Sequence, residues 1–182
     1  MEYTWRPATG DDVPAIVNMA ESHFQTEIDA IFKPEPIVYA RNLTLAIVNQ
    51  FFLPTTEAVG VCYDTNTKLL SYTWIRTERA PWSDDNMALV RMAHVDLTLS
   101  ERLRYRLVKD MMSIWERFAV SAGISIICST TMRREQEGFL KLHTKMGYDV
   151  SGSYAYKRLN LKLNSASKGA WQWREHDPEH SC

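Results

Sequence analysis

The segment from Met87 to Ser129 constrains the fold more than any other part of this 182-residue chain. Met87 to Leu97 is long and mostly apolar, as a buried strand is. Thr98-Leu99-Ser100-Glu101 then has the Thr-x-x-Glu spacing of a capping box. Leu103, Leu107, Met111, Ile114, Trp115 and Phe118 recur behind it at helical spacing and mark the longest amphipathic helix. Gly123 stands where a helix takes its left-handed stop, and Ile124 to Ser129 is a second apolar strand. A one-sided helix between two strands has to bury its stripe against a sheet.

Local signals place the other elements around this unit. Tyr3 to Arg6 alternates as a strand that Pro7 ends, and Thr9-Gly10-Asp11-Asp12 is a turn. Asp11 or Asp12 can cap a helix over 12–24, whose apolar positions are Val13, Ile16, Val17, Ala20 and Phe24. After Pro34 and Pro36, the stripe Ile37, Ala40, Thr44, Ile47, Val48 and Phe51 predicts a second helix. Glu57–Tyr63 and Leu69–Thr77 read as a hairpin around Asp64-Thr65-Asn66-Thr67, and Ala80–Asn86 as a loop. Gln136–Met146 reads as a helix closed by Gly147, followed by strands over Tyr148–Val150 and Tyr154–Leu163. The order β-α-α-β-β-β-α-β-α-β-β indicates an α+β (α/β) domain, a mixed sheet flanked by helices. One domain over 1–163 and a polar tail over 164–182 are expected.

Composition removes several function classes. With 45% hydrophobic and 24% charged residues the chain is not mainly disordered. Its 21 basic and 22 acidic side chains argue against a general nucleic-acid binder. Cys62, Cys128 and Cys182 form no CxxC pair, so neither a zinc site nor a disulfide framework is signalled, and a reduced, cytoplasmic setting is expected. The N-terminus does not read as a signal peptide, and no apolar run is long enough to span a membrane. In the tail, His176, His180 and Cys182 lack a rigid context, and no metal is expected there. Trp171 and Trp173 suggest docking, onto this domain or onto a protein partner.

The element order resembles that of the GNAT superfamily of N-acetyltransferases over about residues 3–162. Phe139-Leu-Lys-Leu-His-Thr-Lys-Met-Gly-Tyr148 is similar to the family's LYEKLGF segment, Ala122-Gly123-Ile124 to its helix end, and Arg6-Pro7-Ala8-Thr9 with Asp11-Asp12 to its IRPAT..D opening. The resemblance implies a mostly antiparallel twisted sheet with helices on both faces. It also implies acetyl-CoA as cofactor, bound where the fourth and fifth strands splay, with Val95 and Leu97 beside it. The family's pyrophosphate loop, [Q/R]-x-x-G-x-[G/A], aligns with Arg102-Leu103-Arg104-Tyr105-Arg106-Leu107, so Tyr105 and Leu107 stand where small residues are usual. A glycine there lets the backbone approach an anion at a helix N-terminus. Arg102, Arg104, Arg106 and Lys109 offer charge instead; the same cations suit a solvated helix face or an acidic partner.

Amine acetylation needs a base for the ammonium proton and an acid for the leaving thiolate. His94 and Asp96 lie two apart on the fourth strand and are expected to face one side. His94 is the leading base, because imidazole titrates near neutrality; Glu78 ends the third strand. In the family resemblance His143 takes the place of the acidic tyrosine, and Gln136 that of an asparagine. Each histidine is equally readable as a packed core residue. Ser129, Thr130 and Thr131 can hydrogen-bond a pantetheine amide. The leading function is acetyl transfer from acetyl-CoA to a small-molecule or protein amine. The alternative is a catalytically degenerate GNAT-fold binding or structural protein. It draws on a fainter resemblance, without a specific motif, to bacteriophage GNAT-like proteins, and would make the chain virion-associated. A loop with free amides at 98–107 favours the enzyme, and a continuous helix through Arg102 the alternative.

Overall fold

The computed structural model describes residues 2–26, 33–131 and 136–151. In chain order the elements are β1 (Tyr3–Pro7), α1 (Val13–Thr26), α2 (Pro36–Phe52), β2 (Glu57–Asp64), β3 (Leu69–Arg79), β4 (Asn86–Val95), α3 (Glu101–Ser121), β5 (Ile126–Ser129) and α4 (Glu137–Lys145). The strands form one sheet in sequence order. The first four are antiparallel neighbours, and β5 runs parallel to β4. Helices cover both faces. Ile16, Ala20, Leu43 and Ile47 of α1 and α2 pack with Val59, Val61, Tyr72 and Trp74 on one side. Leu107, Met111, Trp115 and Phe118 of α3, with Leu142 of α4, pack with Ile75, Ala88, Val90 and Val95 on the other. The mixed, mostly antiparallel sheet expected from the sequence is observed. Among the described residues no helix is long and apolar enough to cross a membrane.

One irregularity decides the geometry of the site. Trp74 pairs with Met92 and Ile75 with Val90, so Arg91 is an extra residue in β4. An inserted residue reverses which side of the sheet the following side chains face. Ala88 and Val90 face α3, but beyond the bulge Met92 and His94 turn to the α1 side, while Val95 faces α3.

Several expectations are corrected. The capping box at Thr98 does not form. The Thr98 amide and hydroxyl both donate to Asp96 Oδ1, at 2.8 and 2.7 Å, and the helix starts at Glu101 behind Ser100. β1 does end at Pro7, which is its last residue. Residues 148–150 are not a strand. On α2 the buried residues are Leu43, Ala46 and Ile47, while Ile37, Val48 and Phe51 face outward. Gly123 and Gly147 do take the left-handed backbone expected of helix stops, with φ of 69° and 86°. The strand over 154–163, the boundary at 163, Trp171, Trp173, His176, His180 and Cys182 lie outside the described residues.

Asp12 ties β1 to the start of α1. Arg6 donates to both its carboxylate oxygens at 2.7 and 2.8 Å, the Thr9 amide donates at 2.7 Å, and the Tyr63 hydroxyl donates at 2.8 Å. Burial pushes the carboxyl up, but these bonds outweigh it and hold the group at about 2, below its usual 3.8. A depressed folded-state pKa contributes stability that is complete above the usual carboxylate value and is lost as pH falls toward 2. Asp12→Asn is therefore expected to cost about 2 kcal/mol at neutral pH. The same change should flatten the acid limb of the stability curve, read from urea midpoints between neutral pH and about pH 2.

Candidate active site

The parallel pairing of β4 with β5 runs from Met87 and Ile126 to Val90 and Ser129 and stops there. β4 continues past the bulge to Val95, while β5 ends at Ser129. Beyond Val90, β4 therefore runs on without pairing to β5. Ser129 is the last residue of β5 and the last in that pairing. Its Oγ is buried without a hydrogen-bond partner.

The N-terminus of α3 lies a short turn beyond β4. Asp96 organises that turn: its carboxylate accepts the two bonds from Thr98 and pairs with Lys68 Nζ at 2.6 Å. Burial pushes the Asp96 carboxyl up, but the bonds from Lys68 and Thr98 outweigh it and keep it below the usual carboxylate range. Asp96 is thus a turn residue held ionised, not a free base, and it lies beyond the last residue of the strand. The Leu103 and Arg104 amides both donate to the Ser100 carbonyl at 3.0 Å. The Glu101 and Arg102 amides have no acceptor among the described residues, and Ser100 does not cap with its side chain. Such orphan donors at the positive end of a 21-residue helix favour an anion.

Within the segment that aligns with the family loop, burial separates the roles. Leu107 is fully buried in the core beneath α3, so it does not project toward an anion at the helix start. Tyr105, Arg102, Arg106 and Lys109 are exposed. Arg104 differs: it lies on the stripe that continues through Met111 and Trp115 onto the sheet, and its Nε is buried without a partner. A guanidinium remains charged at any accessible pH, so a buried, unpaired N–H on it calls for an anionic acceptor. Val95 is buried in the core and Leu97 half-buried in the turn just beyond β4. Gln136 is exposed at the start of α4, where its side chain makes no cap.

The other side of β4 carries the titratable cluster. His94 is buried and stacks on Tyr72, with ring centroids 5.1 Å apart and planes within 8°. Phe24 meets it edge-on at 5.7 Å. His23, from α1, brings its Nδ1 within 3.0 Å of His94 Nδ1. One nitrogen must donate and the other accept, so this contact holds a single proton between the two rings. Sequence reasoning does not single out His23. It lies at helical spacing from Ala20 on the buried face of α1, a signal that a histidine shares with any packed residue.

Two further candidates are repositioned. Glu78 pairs with Arg76 and Arg91 at 3.2 and 3.3 Å and so is already committed. His143 is buried against Phe139, Tyr148 and Trp115. Its Nδ1 donates to the Phe139 carbonyl at 2.9 Å, so Nε2 carries the lone pair in the neutral ring; that atom has no partner. Burial pushes the His143 pKa down despite the bond to Phe139. A neutral ring in this tautomer presents a lone pair and no proton at Nε2.

No protein-family model matches the sequence, and no curated protein does. Solved structures do share its fold. A predicted acetyltransferase from Clostridium acetobutylicum, solved with acetyl-CoA, superposes with a TM-score of 0.66 at 12% identity over 86% of this chain and 96% of that one. Glucosamine-6-phosphate N-acetyltransferase from Arabidopsis thaliana gives 0.63 at 10% identity over 88% and 100%. The aminoglycoside antibiotic 6'-N-acetyltransferase AAC(6')-Ih from Acinetobacter baumannii gives 0.62 at 10% over 88% and 99%.

Proposed function

We propose that this chain, which has the fold of the GNAT acetyltransferases, is an acetyl-CoA-dependent N-acetyltransferase acting on an amine. The observation that carries the reading is the run of β4 beyond the end of its pairing with β5, beside a helix N-terminus without a side-chain cap. Acetyl-CoA fits three features of this chain. The orphan amides of Glu101 and Arg102 and the unpaired Arg104 Nε suit its diphosphate, and the orphan Ser129 Oγ suits an amide of its pantetheine arm. When bound, it supplies the acetyl group as a thioester.

The chain's residues then divide the work. Arg104 and the helix amides hold negative charge. The part of β4 that runs beyond its pairing with β5 takes the extended arm. His94, its ring fixed by Tyr72, Phe24 and His23, takes the ammonium proton from the acceptor, directly or through one water. A thiol ionises near pH 8.5, so its thiolate is a tolerable leaving group without His143 as acid.

Helix α3 is continuous through Arg102, the arrangement that the degenerate, binding-only reading expected. The two readings part on one experiment. Calorimetry with acetyl-CoA is expected to show saturable heat for the wild type, and a Kd at least tenfold weaker for Arg104→Ala. Arg102→Ala, removing an exposed side chain, should weaken binding less. No heat at millimolar acetyl-CoA ends the enzyme reading and leaves a structural or binding role. Saturable heat together with thiol release in the presence of an amine supports it.

A further inference from the structure

Helix α2 is apolar on both sides. Its inner face buries Leu43, Ala46 and Ile47. Its outer face carries Ile37, Val38, Leu45, Val48, Phe51 and Phe52, with Ile37 exposed to 86%, Phe52 to 80% and Phe51 to 60%. At about 100° per residue these six positions fall within an arc of about 140°. The only polar residues in that arc are Arg41 and Thr44, and no acid is there. Helix α3 shows what this chain places on a helix that faces water: Glu101, Arg102, Arg106, Lys109, Glu116 and Arg117 are among its exposed residues. An all-round apolar helix is ordinarily a covered one.

We infer that the outer face of α2 is the contact surface of a homodimer. The reading is independent of the acetyltransferase assignment. Area is the first argument. The exposed apolar side chains of α2, with Leu53 just beyond it, amount to on the order of 700 Å², above the largest patch of a typical monomer and close to one partner's share of a standard interface. Self-complementarity is the second. Two copies of α2 crossing antiparallel about a two-fold axis at Leu45 place Val38 against Phe52 and Ile37 against Leu53, because each pair lies equally far from Leu45 along the chain. That symmetry satisfies the rule that a two-fold interface presents the same patch twice. Charge is the third. Arg41, the one charge on the face, falls opposite Val48 and Asn49 and not opposite its own copy, so no like charges meet. A lipid surface would draw on more cations than this single arginine.

Sedimentation velocity on the full chain tests the inference. The wild type is expected to run at twice the chain mass at about 10 µM, as a micromolar or tighter dimer does. Leu45→Glu sets two carboxylates against each other on the axis and should weaken the dimer at least tenfold, with the melting temperature of the monomer kept. A second variant makes the test positive. Leu45→Cys, with Cys128→Ser and Cys182→Ser, should form a disulfide-linked dimer under mild oxidation, because residues at the axis approach within cross-linking distance. Val120→Cys in the same background, exposed on α3, should not. A wild type that stays monomeric at about 100 µM overturns the proposal. So does a Leu45→Glu dimer as tight as the wild type, or a Leu45→Cys variant that forms no cross-link. Binding of the monomer to phosphatidylcholine–phosphatidylglycerol vesicles, without dimerisation, overturns it in favour of a lipid surface.

Discussion

His94→Ala is expected to lower kcat for amine acetylation by a hundredfold or more, the usual range for loss of a positioned base. The expectation follows from geometry, because the ring is clamped between Tyr72, Phe24 and His23 on the part of β4 that runs beyond its pairing with β5. KM for acetyl-CoA should change little, since the residues proposed to hold the diphosphate lie on α3. The loss should shrink at high pH with amines that are already unprotonated, because such acceptors need no base. In the proposed mechanism His23 would act through His94, as a positioning residue. His23→Gln should lower kcat less, leave KM for acetyl-CoA unchanged and alter the pH profile of kcat, which a purely packing residue would not do. Thermal melts of both variants separate loss of the base from loss of the fold. A folded His94→Ala with wild-type turnover would remove His94 from the mechanism.

Trp115→Ala should cost about 3–5 kcal/mol, the range for deleting a large buried aromatic side chain. The indole is fully buried at the centre of the α3 face, and its Nε1 donates to Thr73 Oγ1 at 2.8 Å. It therefore couples the longest helix to β3 by packing and by a directed bond. Trp115→Phe keeps most of the volume and loses the bond, for a smaller cost of about 1–2 kcal/mol. In a chain of this length the alanine variant should melt roughly 10 °C or more below the wild type. Denaturant midpoints for the two variants check the order. Equal losses would mean that the hydrogen bond, and not the packed volume, carries the effect.

Both predictions concern residues visible in the sequence, but to different degrees. Trp115 sits in a helical stripe between Met111 and Phe118, so its burial is a local consequence of spacing. The position of α4 and the stops at Gly123 and Gly147 were legible for the same reason, since periodicity and left-handed glycine are short-range signals. The stripe on α2 misled because both sides of that helix are apolar. Periodicity identifies the buried face only where the other face is polar, and there it selected Ile37, Val48 and Phe51, which point outward. The capping signal at Thr98 misled because Asp96, two residues earlier, competes for the same amide and hydroxyl. Asp96 looked like a base from its place beside a strand. Lys68, from the hairpin turn far upstream in sequence, turned it into a structural carboxylate.

The sequence alone determined the kind and order of the elements from β1 to α4, because hydrophobic spacing, prolines and glycines act within a few residues. It also determined that β4 carries a histidine near its end. Only the tertiary structure decided where that histidine faces. Pairing with β3 leaves Arg91 as an extra residue, and a side-chain period of two reverses every position after such an insertion. The same folding brings His23 to His94 across 71 residues of chain. It also leaves the amides of Glu101 and Arg102 without acceptors among the described residues, at the start of α3. Those facts depend on non-local packing and hydrogen-bond competition, so no local pattern in the chain could state them.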